Sequence, residues 1–503
     1  MSNTVPAISD LRLPGPPPVP RASGRCIVVS DRLPVVLTRG GRQGWRVSPA
    51  GSALISALTP VLRERRGVWI GWPGVTTEEV PGLRKVLAGG IQEGGFSLRP
   101  VLLNAQEKRL GYGGFGSEVL WPLFHDLPLE STFSPAHWQA FLKVNRKFAR
   151  AAARTVARGA AGADLVWVHD HLLMNLALEL RRLGASCRTA FFLHLPFPAP
   201  DLFLKLPWRN RLLAGLLAFD QVGFQTERDL EHFLACVRSL ARPTIQAPGG
   251  DAQWTLAGHG SRGAFSLRAG VFPIGVDCRE IEERAAQPEV AARMAVLREA
   301  LRGRKLVLGV DIIDRAMGIP EKLRAFAEAL ALYPELKEGV TLVQVAIPDR
   351  DGAPRSAALR AEIERLVGEI NGAFGRPGWV PVHYRHRALA PEDLLAHYRQ
   401  ADVALVTPLK AGMHLRAKEY CAANLDGRGA LVLSEFAGAA PQLAAGALLV
   451  NPFDSQGVAR VLRRALRMKE RERAGRMRKL RGEVQRHDVS WWARTFLAAA
   501  LAG

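Results

Sequence analysis

The sequence predicts an α/β protein made of two Rossmann-like domains facing a central cleft. Three observations carry that expectation. Short β-branched runs alternate with longer helical patterns along most of the chain, and the alternation falls into two series that meet near residue 275. The 503 residues, 48% hydrophobic and 23% charged, suffice for several ordinary cores and exclude disorder, collagen and coiled coil as whole-chain descriptions.

Taken in order, residues 1–24 read as a disordered leader, because Leu13-Pro-Gly-Pro-Pro-Pro-Val-Pro20 lacks backbone donors and favours an extended chain. Residues 25–274 form the first domain. Its buried strands are expected at Cys26–Ser30, Val68–Gly71, Leu165–Val168, Thr189–Leu193 and Gln221–Phe224, with helices at Trp138–Ala160 and Leu172–Leu183. Residues 275–485 form the second domain. Strands are expected at Lys305–Gly309, Thr341–Ala346, Val403–Val406 and Ala430–Leu433, with a further one at Val380–Tyr384. Helices at Pro320–Leu332, Ser356–Ile370, Pro391–Arg399 and Gln456–Met468 separate them. Residues 486–503 are a final helix.

Composition narrows the function classes. Five scattered cysteines without a CxxC pair support neither a disulfide framework nor a structural zinc site, and they suit a reducing cytoplasm. No apolar stretch approaches the roughly 18 residues of a membrane span. The net charge of +21 admits nucleic acid, membrane or phosphorylated small molecules as partners. Between Arg463 and Arg486 there are eleven Lys or Arg against three Glu, which reads as the solvated face of a helix. No nucleic-acid recognition module accompanies the charge, so phosphorylated small molecules are the favoured partners.

Candidate chemistry sits at strand ends. In Phe191-Phe-Leu-His194-Leu-Pro-Phe-Pro198 a His closes a strand before two prolines, placing an imidazole on the carboxyl edge of the sheet. Val168-His169-Asp170-His171 closes another with a carboxylate between two imidazoles, a spacing that fits no common zinc template and suits gripping a polar substrate. Three turns into helices suit anions: Asp314–Glu321, Lys410–Glu419 and Ser434–Ala440. No P-loop occurs.

With these residues the sequence strongly resembles the trehalose-6-phosphate synthase family, retaining glycosyltransferases of the B-type fold. The resemblance covers residues 26–500 and rests on Val29-Ser-Asp-Arg-Leu-Pro34, Gly116–His125, Trp167-Val-His-Asp170, Phe191–Pro198, Val222–Glu227, Phe272-Pro-Ile-Gly275, Ala404–Tyr420, Phe436–Ala440 and Val450–Asp454. It implies glucose transfer from a nucleotide sugar, UDP-glucose foremost, to glucose 6-phosphate, without cofactor or metal. By the same resemblance Arg32, Tyr112, Trp121, Asp170 and Arg350 bind the acceptor, and His194 and Asp170 stand nearest the reacting bond. His194, Leu389 and the run Gly412, Met413, His414, Leu415, Arg416, Ala417, Lys418 and Glu419 bind the donor, Glu419 through the ribose. The final helix resembles a family element that crosses back to the first domain.

The donor side departs from the family pattern. Ile312 and Met317 stand where the family has the Arg and Lys of its donor diphosphate site, Ala411 where it has the Asp for the donor hydroxyls, and Ser52 and Ala53 where it has a Gly-Gly-Leu loop. Two lost charge-assisted bonds amount to about 3–6 kcal/mol, a factor of roughly 10² to 10⁴. Arg315, Lys410, Arg416 and Lys418 lie near the same turns in sequence. Three readings therefore stay open: an active synthase-like transferase, a paralogue that binds sugar phosphate and acts as a regulator or partner, and a transferase with altered donor or acceptor. A homo-oligomer is compatible with each.

Overall fold

Cys26–Arg32 form the strand β1, and Ile27 to Val29 are fully buried, as a run without a polar face must be in a sheet covered on both sides. This computed structural model describes residues 24–39, 45–49, 53–79, 91–93, 95–156, 164–246, 253–260, 263–348 and 354–502. The expected leader, Ser52 and Arg350 lie outside them. After β1 come β2 (Val35–Arg39) and β3 (Trp45–Pro49), a separate hairpin. Then follow β4 (Val68–Trp72), β5 (Ile91–Glu93), β6 (Phe96–Pro100), β7 (Leu165–His169), β8 (Arg188–Phe192), β9 (Gln221–Phe224), β10 (Thr244–Gln246), β11 (Trp254–Gly260) and β12 (Gly263–Val271).

Apart from the hairpin, these strands make one sheet in the order β10-β11-β12-β9-β8-β7-β1-β4-β6-β5. It is parallel from β12 to β6 and antiparallel at both edges. Beyond β1 the chain adds β4 and β6 on one side, then returns to place β7 on the other. The crevice of this reversal therefore opens between the carboxyl ends of β1 and β7.

The second sheet contains β13 (Lys305–Ile312), β14 (Val340–Ile347), β15 (Val382–Arg385), β16 (Val403–Val406), β17 (Ala430–Ser434) and β18 (Leu448–Val450), all parallel, in the order β15-β14-β13-β16-β17-β18. Its reversal lies between β13 and β16. Helices run Pro135–Thr155, Leu176–Arg182, Ile319–Leu332, Pro354–Phe374, Pro391–Gln400 and Ser455–Arg467. Most lie within a few residues of the expected bounds; Leu176–Arg182 begins later because His171–Leu173 is a tighter turn.

The linker after β12 and the return near residue 488 run side by side, with the Val489 amide donating to Val276 O at 3.1 Å. The helix Val489–Leu501 then lies on the first domain, where Phe496 stacks on Trp167 at 4.9 Å and meets Phe272 at 5.0 Å. Arg188 donates to Leu501 O at 2.6 Å and Arg268 to Ala499 O, so two first-domain cations sit on this helix's negative end. The basic stretch behaves in the same way in part. Arg481 donates to Ala422 O at 2.6 Å and Arg473 to Ala465 O at 3.1 Å, while Arg471, Arg478 and Lys479 are exposed. The charge expected on a solvated helix face thus partly caps helix ends. Among the described residues no helix is long and apolar enough to cross a membrane.

Candidate active site

The crevice at β1 and β7 gathers the first half-site. Arg32, ending β1, lies with its guanidinium carbon 5.0 Å from the Trp72 ring centroid, and Lys108 Nζ lies 5.8 Å from the same ring. Trp72 packs at 5.1 Å against Tyr112, whose hydroxyl donates to Asp31 O at 2.8 Å. Tyr112 is held by a wide helix, Lys108–Leu120, closed by bonds such as Trp121 N to Gly116 O. Gly111-Tyr-Gly-Gly-Phe-Gly116 has dinucleotide-fingerprint spacing, but it lies inside this helix and not on a strand-to-helix turn. Trp121 stacks on His125 at 4.3 Å, and its buried indole N–H has no partner.

Asp170, just after β7, has φ 71° and ψ 163°, a strained backbone. Its Oδ1 accepts from the His171 amide at 2.7 Å and faces His171 Nδ1 at 2.9 Å. Burial alone would raise its pKa, but the His171 contacts hold it well below the usual carboxylate range. Burial, with the Asp170 charge beside it, pushes the Asp31 carboxyl up instead. Two neighbouring carboxyls with opposed shifts mark a tuned polar corner. Arg32, Tyr112, Trp121 and Asp170 are thus placed around the strand ends of one domain; Trp72, Lys108 and His125 join them without having been singled out from sequence.

His194 stands beyond β8, buried, with Nε2 3.3 Å from His169 Nδ1 and Nδ1 3.1 Å from Met413 Sδ of the second domain. His169 and His171 therefore serve different partners. Burial lowers the pKa of His194, and of His169 further. His125 and His414 are lowered to about 4, again mainly by burial. An unfolded chain takes up these protons below about pH 6.5 while the folded chain refuses them, so stability is intact above that pH and falls toward pH 4. His125 and His414 each contribute about 1 kcal/mol per pH unit within that window. The urea midpoint is expected to fall steeply between pH 7 and 5; a flat profile contradicts buried neutral imidazoles.

The second half-site lies at the other reversal. Ala316 O, in the turn after β13, accepts from Leu409 N at 2.7 Å and Lys410 N at 3.3 Å, tying that turn to the loop after β16. Gly318 takes φ 64° to start the helix Ile319–Leu332. Ile312 is 50% exposed, and Met317 is half-buried. The loop continues through Ala411, buried, and Gly412 to His414, whose φ of 57° starts the helix Leu415–Ala423. A Cβ on Gly412 would fall 2.1 Å from His194 O, so this loop rests directly on the first domain. Lys410 Nζ crosses the same gap to Asp126 Oδ2 at 2.8 Å, and Gln225 bridges Gly438 O and the Ile274 amide.

On the helix, Glu419 Oε2 accepts from Arg416 at 2.7 Å and from the Tyr398 hydroxyl at 3.0 Å. Leu415 is half-buried, Ala417 is buried, and Leu389 packs against the second core. Lys418 turns away from the cleft. It is 1% exposed, donates to Ile274 O at 2.5 Å and to Gln442, and burial lowers its pKa to about 7. Its expected donor contact is replaced by a role at the linker. Ala53 opens the helix Ala53–Glu64.

The chain matches the family model for glycosyltransferase family 20 over residues 24–501. It is 42% identical over 480 residues to the trehalose-6-phosphate synthase of Mycobacterium bovis, covering 95% of this chain and 94% of that protein. Among solved structures, it superposes with TM-score 0.84 on the E. coli protein bound with UDP-2-fluoro glucose, at 32% identity over 95% of this chain and 99% of that one. It also superposes with TM-score 0.83 on the UDP-forming alpha,alpha-trehalose-phosphate synthase of Burkholderia xenovorans in complex with glucose-6-phosphate, at 33% identity over 95% and 100% of the two chains.

Proposed function

Because the chain belongs to glycosyltransferase family 20, we propose that its cleft transfers glucose from UDP-glucose to glucose 6-phosphate with retention at the anomeric carbon. The protein is a trehalose-6-phosphate synthase-like glycosyltransferase. The observation that carries two-substrate transfer is the pairing of two reversal-point half-sites across one gap, where Gly412 rests on His194. Sugar transfer needs two substrates held face to face, and effective concentration supplies much of the rate.

In this reading Arg32 and Arg350 hold the acceptor phosphate, since a guanidinium fork meets phosphate oxygens directly and Trp72 fixes the Arg32 plane. Tyr112, Trp121 and the low-pKa carboxylate of Asp170 take the sugar hydroxyls. His194, neutral at pH 7, lies against the donor glucose, while Glu419 and Leu389 hold the nucleoside. The acceptor hydroxyl attacks the anomeric carbon on the face from which the diphosphate departs, and its proton passes to a phosphate oxygen of that leaving group. A nucleotide-sugar donor and five free, buried thiols, those of Cys26, Cys236, Cys278 and Cys421 pushed up to about 12 by burial, support a cytoplasmic site of action.

Steady-state kinetics on Arg32→Ala test the acceptor assignment. KM for glucose 6-phosphate is expected to rise roughly 10- to 100-fold, the worth of one charged hydrogen bond, with KM for UDP-glucose little changed. An equal rise for both substrates removes Arg32 from the acceptor site. Glucose 6-phosphate binding without any turnover moves the chain to the sugar-phosphate-binding paralogue.

A further inference from the structure

We infer that Arg416 supplies the positive charge that meets the donor's leaving diphosphate, an assignment that rests on the nucleotide-sugar reading above. As the anomeric C–O bond breaks, its electron pair stays on the terminal phosphate oxygen, the acceptor oxygen bonds to the anomeric carbon, and the hydroxyl proton moves to that phosphate oxygen. A cation fixed beside this oxygen in a water-poor cleft lowers the barrier.

Among the described residues, five basic side chains lie on the turns and helix starts at the second reversal, and four are held by partners away from the expected nucleoside position. Arg315 forms a two-pronged pair with Glu321 at 2.6 and 3.2 Å. Lys322 is sealed against Asp311 with neither side chain exposed beyond 1%. Lys410 is paired across the domains with Asp126, and Lys418 is buried at the linker. The hydrophobic Ile312 and Met317 add no charge to the turn. Arg416 is paired with Glu419 through Nη1 and interacts with Tyr398, but both partners sit on the expected nucleoside side, and its own side chain is 38% exposed.

Its position fits a nucleoside diphosphate. Arg416 lies in the first turn of the helix Leu415–Ala423, three residues before Glu419 on the same face. The rise along a helix puts it about 4.5 Å nearer the N-terminus than the carboxylate. A ribose held at Glu419 therefore directs its phosphates toward Arg416 and the positive end of the helix. Glu419, itself fixed by Tyr398, in turn holds the guanidinium in place.

The test compares UDP with uridine, which lacks the phosphates, by calorimetry and ligand-detected NMR on the full-length protein. For Arg416→Gln, UDP affinity is expected to fall roughly 10- to 100-fold with uridine binding unchanged, and kcat to fall at least as far. Arg416→Lys is expected to retain most of both, and uridine binding reports that each variant is folded. Equal losses for UDP and uridine mean that Arg416 only positions Glu419, and unchanged UDP binding means that it does neither; each overturns the assignment. Absence of UDP binding to the parent protein instead overturns the nucleotide-sugar reading, and this assignment with it.

Discussion

Gly412→Ala is expected to lower kcat/KM for glucosyl transfer by a factor on the order of 10² to 10³. The added methyl group would meet His194 O at 2.1 Å and the Leu195 carbonyl carbon and Cα at 2.8 and 2.9 Å. All three are backbone atoms in the buried segment just beyond β8, so they cannot swing aside as a side chain would. The loop has to retreat by on the order of 1 Å, and a displacement of that size at reacting groups costs about two decades in rate. It also strains the Met413 contact with His194 and the Lys410–Asp126 pair, both of which cross the same gap. Each half-site remains intact within its own domain, so KM values are expected to move less than kcat. A variant within threefold of the parent in kcat contradicts a cleft assembled on this contact.

Lys322→Met is expected to destabilise the protein by about 3–5 kcal/mol. Lys322 and Asp311 form an ion pair whose side chains are 0% and 1% exposed, joined by the Gln344 amide at 2.8 Å on the same carboxylate oxygen. Asp311 Oδ1 has no hydrogen-bond partner, so the ammonium is the principal compensation for a charge that water cannot reach. Removing the cation alone leaves that charge stranded. Removing both, as Lys322→Met with Asp311→Leu, is expected to restore most of the loss, because the desolvation of two ions disappears together with their attraction. Urea unfolding of the two singles and the double measures the coupling, and additive losses contradict it.

The parallel strands were legible because burial on both faces leaves a continuous β-branched run, as in β1, β7 and β16. The sheet edges were not. β10 is half exposed, and β11 mixes Trp254, Thr255 and His259 with glycines, so neither shows a sharp period. The wide helix Lys108–Leu120 escaped for a different reason, since bonds spaced five residues apart have no 3.6-residue signature. Within the candidate site, the residues on strand ends and in the loop at 411–419 were legible as motifs. Trp72, Lys108, Asp126 and Tyr398 were not, because they reach the site from elements far apart in sequence. Lys418 shows the limit of reading a helix as a contiguous run. Arg416 and Glu419 share a face at three-residue spacing, while Lys418 between them points to the linker. The excess of arginine likewise required the fold, for only packed helices show that Arg188, Arg473 and Arg481 sit on helix ends.

The most direct measurement is proton NMR of the purified protein with UDP-glucose and glucose 6-phosphate. The expected result is stoichiometric appearance of UDP and a disaccharide phosphate with both anomeric protons in the α configuration. No consumption of UDP-glucose, or a β-linked product, would contradict retaining transfer in this cleft.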